Sequence, residues 1–178
     1  MEVDVRRIGY VRGSWQGHDT LEQRFRFDGP GVNAHAVADV LLTAPLIGED
    51  SVFGRRPGVE GARTDRSRSV AGFSPAPGFR FDVEITEREG SFLVRFTQLD
   101  RLVPYLQGDL LWSIVDGEAE GAVLDEQVNT ERALQVVSDP LDGDRRSLRR
   151  WLFFRIGHKQ VMRGATRNIA ALLDRRSI

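Results

Sequence analysis

The chain has 178 residues, 40% of them hydrophobic, and a formal net charge of −1. That length and apolar content suit one domain spanning 1–178 with a real core, rather than two small ones. The absence of cysteine excludes disulfides, thiolate nucleophiles and cysteine-ligated zinc or iron–sulfur centres.

The near balance of charge hides a polar distribution. From Arg145 onward there are ten basic residues against one acidic, Asp174, so this segment carries +9 and the rest of the chain −10. A basic face lying on an acidic body accounts for this; so does a surface for an anionic partner. No apolar run reaches 18 residues, and Met1 to Tyr10 lacks the apolar centre of a signal peptide. A soluble, unexported, cytoplasmic protein is expected.

In chain order, Val3 to Val11 reads as a strand with a slip between Val5 and Ile8, followed by turn-like residues from Gly13 to Asp19. Leu21 to Phe27 alternates, with Leu21, Phe25 and Phe27 on one face and Glu22, Arg24 and Arg26 on the other. Asp28-Gly29-Pro30-Gly31 breaks the chain. A helix follows, with Asn33 as its N-cap and Val37, Val40, Leu41 and Ala44 on its apolar stripe, limited by Pro45 near Leu42. A second helical piece is compatible with Leu46 to Phe53, closed by Gly54.

Ala62 to Ala71 reads as an exposed, weak strand and Ser74 to Gly78 as a turn. Phe79 to Glu87 and Ser91 to Gln98 alternate across Glu89-Gly90, the best-defined hairpin in the sequence. Asp109 to Val115 and Gly121 to Thr130 are two more strands joined by a short turn. In the second, Ala122, Leu124 and Val128 oppose Val123, Asp125 and Gln127; of the neighbours Asp125 and Glu126, only one can face inward. Pro140 to Asp144 then breaks the chain.

Ser147 to Leu173 is read as one long amphipathic helix. Leu148, Trp151, Leu152, Ile156, Val161, Met162, Ala165, Ile169, Leu172 and Leu173 recur at helical spacing, opposite Arg149, Arg150, Arg155, Lys159, Arg163 and Arg167. It reaches roughly 40 Å at 1.5 Å per residue. Its greasy face needs a broad apolar partner, and the strands supply one. Short turns force antiparallel neighbours, and strands grouped apart from helices argue α+β.

Order and helix together resemble the START / birch-pollen-allergen / polyketide-cyclase-like superfamily, called SRPBCC. FRFDGPGVNAHAVADVLLTAP resembles its first strand and helix, Ala62 to Thr130 its curved antiparallel sheet, and LRRWLFFRIGHKQVMRGATRNIAALL its C-terminal helix. The resemblance implies a helix-grip fold, with a curved antiparallel sheet of about six to seven strands gripping the long C-terminal helix. The first twenty residues depart from the simplest pattern, and they either add a strand or replace the first one.

The resemblance further implies a cavity between sheet and helix for a small hydrophobic or amphipathic molecule. The residues placed to line it are Phe81, Val94, Phe96, Trp112, Ile114, His158, Met162 and Ala165; Phe79 and Phe92 are further candidates. An ordinary filled core explains the same residues equally well. His158, beside the apolar stripe, is the one weak candidate for acid–base chemistry, in a cyclase/dehydratase-type enzyme. A partly buried structural histidine is the plainer reading. Gly157 and Gly164 either let a strand or ligand approach closely or sit on the exposed side of the helix, and close packing is preferred over ligand contact.

Fold alone does not choose among these functions. A Ser-His-Asp arrangement, GxSxG, a P-loop and GxGxxG are all absent from the sequence. Three scattered histidines without HxxxH or HxH spacing argue against a metal site, and no cofactor is expected. Arg55, Arg56, Arg63, Arg66 and Arg68 cluster, but without interleaved aromatics, which argues against nucleic acid. Two alternatives stand beside ligand binding: the enzyme above, and an interaction module docking its basic helix face on an anionic surface. A homodimer is left open.

Overall fold

A computed structural model describes residues 2–15, 18–54, 63–65, 70–76, 79–98, 108–118, 121–131 and 158–176. Among them are eight strands and two helices: β1 (Asp4–Trp15), β2 (His18–Asp28), α1 (Ala34–Thr43), β3 (Arg63–Asp65), β4 (Val70–Ala76), β5 (Phe79–Arg88), β6 (Ser91–Gln98), β7 (Gly108–Asp116), β8 (Ala122–Glu131) and α2 (His158–Arg176). The strands form one sheet in the order β1-β2-β8-β7-β6-β5-β4-β3, every neighbouring pair antiparallel. Both helices lend their buried side chains to the same core as the sheet's inner face. This is the expected α+β helix-grip arrangement.

The eight strands exceed the six to seven expected. β1 is an added edge strand, and it runs through Gly13 to Trp15, where turn residues stood in the sequence. Pairing with β2 decides this: Gly13 lies opposite Thr20 and Trp15 opposite His18, so the ladder overrides local turn preference. The weak strand at Ala62 to Ala71 divides into β3 and β4, and β4 continues into the residues read as a turn. The slip read between Val5 and Ile8 is present as a register shift between Arg7 and Gly9.

The β5–β6 hairpin turns on Glu89 and Gly90, whose φ angles of 49° and 79° are both positive. That is what a two-residue hairpin loop requires. Asn33 caps α1 by accepting the Ala36 amide at 2.8 Å, as its residue type predicts. Asp116 at the end of β7 accepts the Ala34 amide at 2.7 Å, tying the start of α1 to the sheet.

Leu46 to Phe53 is not helical. Gly48 and Asp50 have φ angles of 128° and 55°, outside the helical region. The segment instead folds back on itself, with Val52 N donating to Pro45 O at 3.0 Å and Phe53 N to Leu46 O at 2.8 Å. Leu46, Ile47 and Val52 are thereby buried in the core.

α2 is described over 19 residues and runs past Leu173 to Arg176; the expected start at Ser147, together with Gly157, lies outside the described residues. Met162, Ala165, Ile169, Ala170 and Leu173 are its buried apolar stripe. Full burial of a large aliphatic or aromatic side chain contributes about 1.5–3 kcal/mol. The helix end is fixed by polar contacts. Asn168 Nδ2 donates to Val52 O at 3.1 Å, Arg175 pairs with Asp50 at 2.8 Å, and Arg176 pairs with Asp39 on α1. Gly164 is not a close-packing position as the sequence suggested. It is exposed, and apart from its own helix turn no atom lies within 4 Å of where a methyl would sit.

Candidate functional site

The antiparallel registers bring one row of side chains across the inner face of the sheet. Tyr10 on β1 lies opposite Gln23 on β2, Gln23 opposite Glu126 on β8, and Glu126 opposite Trp112 on β7. Trp112 faces Val94 on β6, and Val94 faces Ile85 on β5. Directly opposed residues of an antiparallel pair project to the same face. The rows on either side contain Leu21, Val128 and Leu110, and Phe25, Leu124 and Ile114. A polar pair, Gln23 and Glu126, therefore sits inside an apolar wall.

Both are 1% exposed, and they bond to each other. Gln23 Nε2 donates to Glu126 Oε2 at 2.9 Å. Trp112 Nε1 donates to Glu126 Oε1 at 3.2 Å. His158, 6% exposed on α2, places Nε2 2.9 Å from the same Oε1. Side chains from β2, β7 and α2 thus converge on one carboxyl group. Asp125, its neighbour, points the other way and pairs with Arg24, which lies opposite it on β2. That pair holds the Arg24 guanidinium above its ordinary value, first through the hydrogen bond and then through charge. The alternation of β8 thus settles which of the two acids faces inward.

The indole of Trp112 is fixed between two rings. Phe96 lies 4.7 Å away and Phe53 6.0 Å away, centroid to centroid. The Glu126 side chain is itself fully buried, and removal from water strengthens each of its hydrogen bonds. Replacing a buried charge by apolar residues is often neutral or stabilising, so stability alone is a weak reason to keep Glu126 here. A histidine held against a buried carboxylate is also the arrangement that orients an imidazole for proton transfer.

Of the residues placed at a cavity by sequence reasoning, Val94, Phe96, Trp112, Ile114, His158, Met162 and Ala165 are all buried, and Phe81 is half-buried against the same core. Phe92 joins the core and forms an edge contact with His35 on α1, 5.6 Å between centroids. Nothing is described of the Phe79 side chain. Gln23 was missed, and the signal was available: it occupies the apolar phase of β2, between Leu21 and Phe25.

A separate cleft of about 340 Å³ lies where α1 begins and α2 ends, lined by residues including Gly31, Asn33, His35, Asp39, Leu173 and Arg176. None of the eight predicted lining residues borders it. Among the described residues no group of three or more His, Cys, Asp or Glu side chains is arranged to hold a metal ion. No described helix is long and apolar enough to cross a membrane.

No protein-family model matches the chain, and no curated protein matches it. Solved structures do. Human STARD10 matches with a TM-score of 0.47 at 11% identity, over 93% of this chain and 73% of that one. The lipid transfer and protein localization domain of human StarD13 (DLC2) matches with a TM-score of 0.46 at 11% identity, over 93% and 89% of the two chains. CalU16 from Micromonospora echinospora matches with a TM-score of 0.37 at 12% identity, over 96% and 99%. At these identities and scores the likeness carries no residue role, ligand or activity across to this chain.

Proposed function

We propose that this protein binds a small hydrophobic or amphipathic molecule between the inner face of its sheet and α2. The observation that supports this is the polar cluster of Glu126, Gln23, Trp112 and His158, set in a wall otherwise built from Val94, Phe96, Ile114, Met162 and Ala165. Small-molecule sites combine an apolar lining with a few placed polar groups that fix orientation. Gln23 Oε1 is buried and without a hydrogen-bond partner among the described residues, and an unmet acceptor in such a wall suits a donor brought by a ligand. Native mass spectrometry of the purified chain tests the reading: a small molecule released on denaturation is expected. A clean apo mass, combined with no saturable binding of a neutral apolar probe such as Nile red, overturns it.

The 2.9 Å separation of His158 Nε2 and Glu126 Oε1 favours a second reading, in which the bound molecule is also turned over. His158 would exchange a proton with it, and Glu126 would orient the ring and balance its charge. With the co-purified molecule as starting material, His158→Ala is expected to abolish conversion while leaving the fold intact. Unchanged conversion removes His158 from the chemistry.

A further inference from the structure

The inner-face row does not end at Gln23. It continues to Tyr10 on the edge strand β1, and there its chemistry changes. The guanidinium carbon of Arg7 lies 5.0 Å from the centre of the Tyr10 ring, and Lys159 Nζ lies 5.2 Å from the same centre. Two cations from different elements, one on β1 and one on α2, therefore meet at one phenol ring.

The bulge makes this possible. Arg7 lies opposite Phe25, whose side chain is buried on the inner face, and the register shift before Gly9 then returns Tyr10 to that face opposite Gln23. Were β1 a regular strand over this same sequence, alternation would put Arg7 and Tyr10, three residues apart, on opposite sides of the sheet. Neither Arg7 nor Lys159 has an ion pair among the described residues, as is also true of Arg12, Arg163 and Arg167. The Nη1 atom of Arg7 is also buried and lacks a hydrogen-bond partner. A buried guanidinium nitrogen without an acceptor costs the full desolvation of a charged donor. Next along the row, the buried Oε1 of Gln23 lacks a donor.

We infer that Arg7 and Lys159, flanking Tyr10, receive the oxyanion head of an amphipathic small molecule whose apolar part lies along the inner face beside Gln23 and Trp112. This rests on the ligand-binding reading above and names the ligand class: a carboxylate or phosphate at one end, an apolar body at the other. The cations supply charge-assisted hydrogen bonds, bidentate in the case of the arginine. The orphaned Gln23 acceptor suits a hydroxyl or N–H adjoining the head.

The test compares decanol, decanoate and decyl phosphate by calorimetric titration of the full chain, with inorganic phosphate as a competitor. At least one anionic amphiphile is expected to bind about tenfold or more tightly than decanol, a gap that one well-made charge-assisted contact supplies. Arg7→Met and Lys159→Met are each expected to erase that preference while leaving decanol binding unchanged; the unchanged alcohol also shows that each variant is folded. Equal binding of all three amphiphiles overturns the inference and leaves the ligand-binding reading standing. Binding of none overturns both. Inorganic phosphate competing as well as decyl phosphate assigns the pair to a free anion and overturns the amphiphile.

Discussion

His158 and Glu126 place Nε2 and Oε1 2.9 Å apart, and the carboxylate side chain is wholly buried. One residue belongs to the helix and the other to the middle of the sheet, so their contact joins the two layers of the fold. Glu126 also holds Trp112 and Gln23. Glu126→Ala leaves three buried partners facing an apolar gap. A loss of about 3 kcal/mol or more is expected, because each buried polar group left without its partner costs about 1–3 kcal/mol. Glu126→Gln keeps the volume and one acceptor, and is expected to lose about 1–3 kcal/mol. Urea unfolding followed through tryptophan fluorescence measures both. Equal stability of the alanine variant and the parent would show that the cluster holds nothing together.

Gly164 stands on the solvent face of α2, with open space beside its α-carbon. Gly164→Ala is expected to raise stability by about 0.5–1 kcal/mol, because glycine inside a helix loses more backbone freedom than alanine. The midpoint of urea unfolding should rise with an unchanged slope. A fall would mean that this face touches something in the folded protein.

Gly121 predicts the opposite sign. Its φ is 142°, and a methyl there would come within 2.5 Å of the Phe27 carbonyl oxygen. Gly121→Ala combines a disfavoured backbone conformation with a backbone clash where the turn before β8 meets the end of β2. A loss of about 1–3 kcal/mol is expected by the same unfolding measurement. A neutral result would require the β2–β8 ladder to shift, which amide exchange at Ala122 and Phe27 would report.

Arg175 holds the Asp50 carboxyl below the usual aspartate value, first by hydrogen bond and then by charge. A carboxyl whose folded value is depressed contributes stability above its unfolded value and loses it as pH falls through the folded one. The contact between the end of α2 and the 45–54 segment is therefore expected to persist at neutral and mildly acid pH. It loosens only below the ordinary aspartate range. A carbon-detected NMR titration of Asp50 should give a midpoint below that of an exposed aspartate, returning toward it in Arg175→Gln. The same midpoint in both proteins would remove the pair from the account.

Much of this architecture was legible in residue order. Alternation in Phe79 to Glu87 and Ser91 to Gln98 and the Glu89-Gly90 turn determine the β5–β6 hairpin locally. The helical spacing from Met162 to Leu173 gives the buried stripe of α2. What alternation alone does not carry is register. Gln23 and Glu126 lie 103 residues apart, and only the pairing of β2 with β8 sets one against the other. Each was visible singly as a polar residue in an apolar phase, but a lone intruder of that kind says nothing about its partner. The Leu46 to Phe53 segment misled for a different reason. Its apolar spacing suits a helix, and the positive φ at Asp50 is a property of the folded chain that residue type does not announce.

The register shift before Gly9 makes β1 two half-strands spliced out of phase. In the first half the odd-numbered positions, Val5 and Arg7, face inward; in the second the even-numbered positions, Tyr10 and Arg12, do so. A single edge strand thus supplies grease at one end and charge at the other without changing sides. Deleting Ile8 would bring the two halves into phase, with Val5 still opposite Phe27 and Tyr10 still opposite Gln23. What the extra residue adds is the bend and stronger twist of a bulge, so a shortened β1 would keep its inward side chains and lose only the curl of this edge.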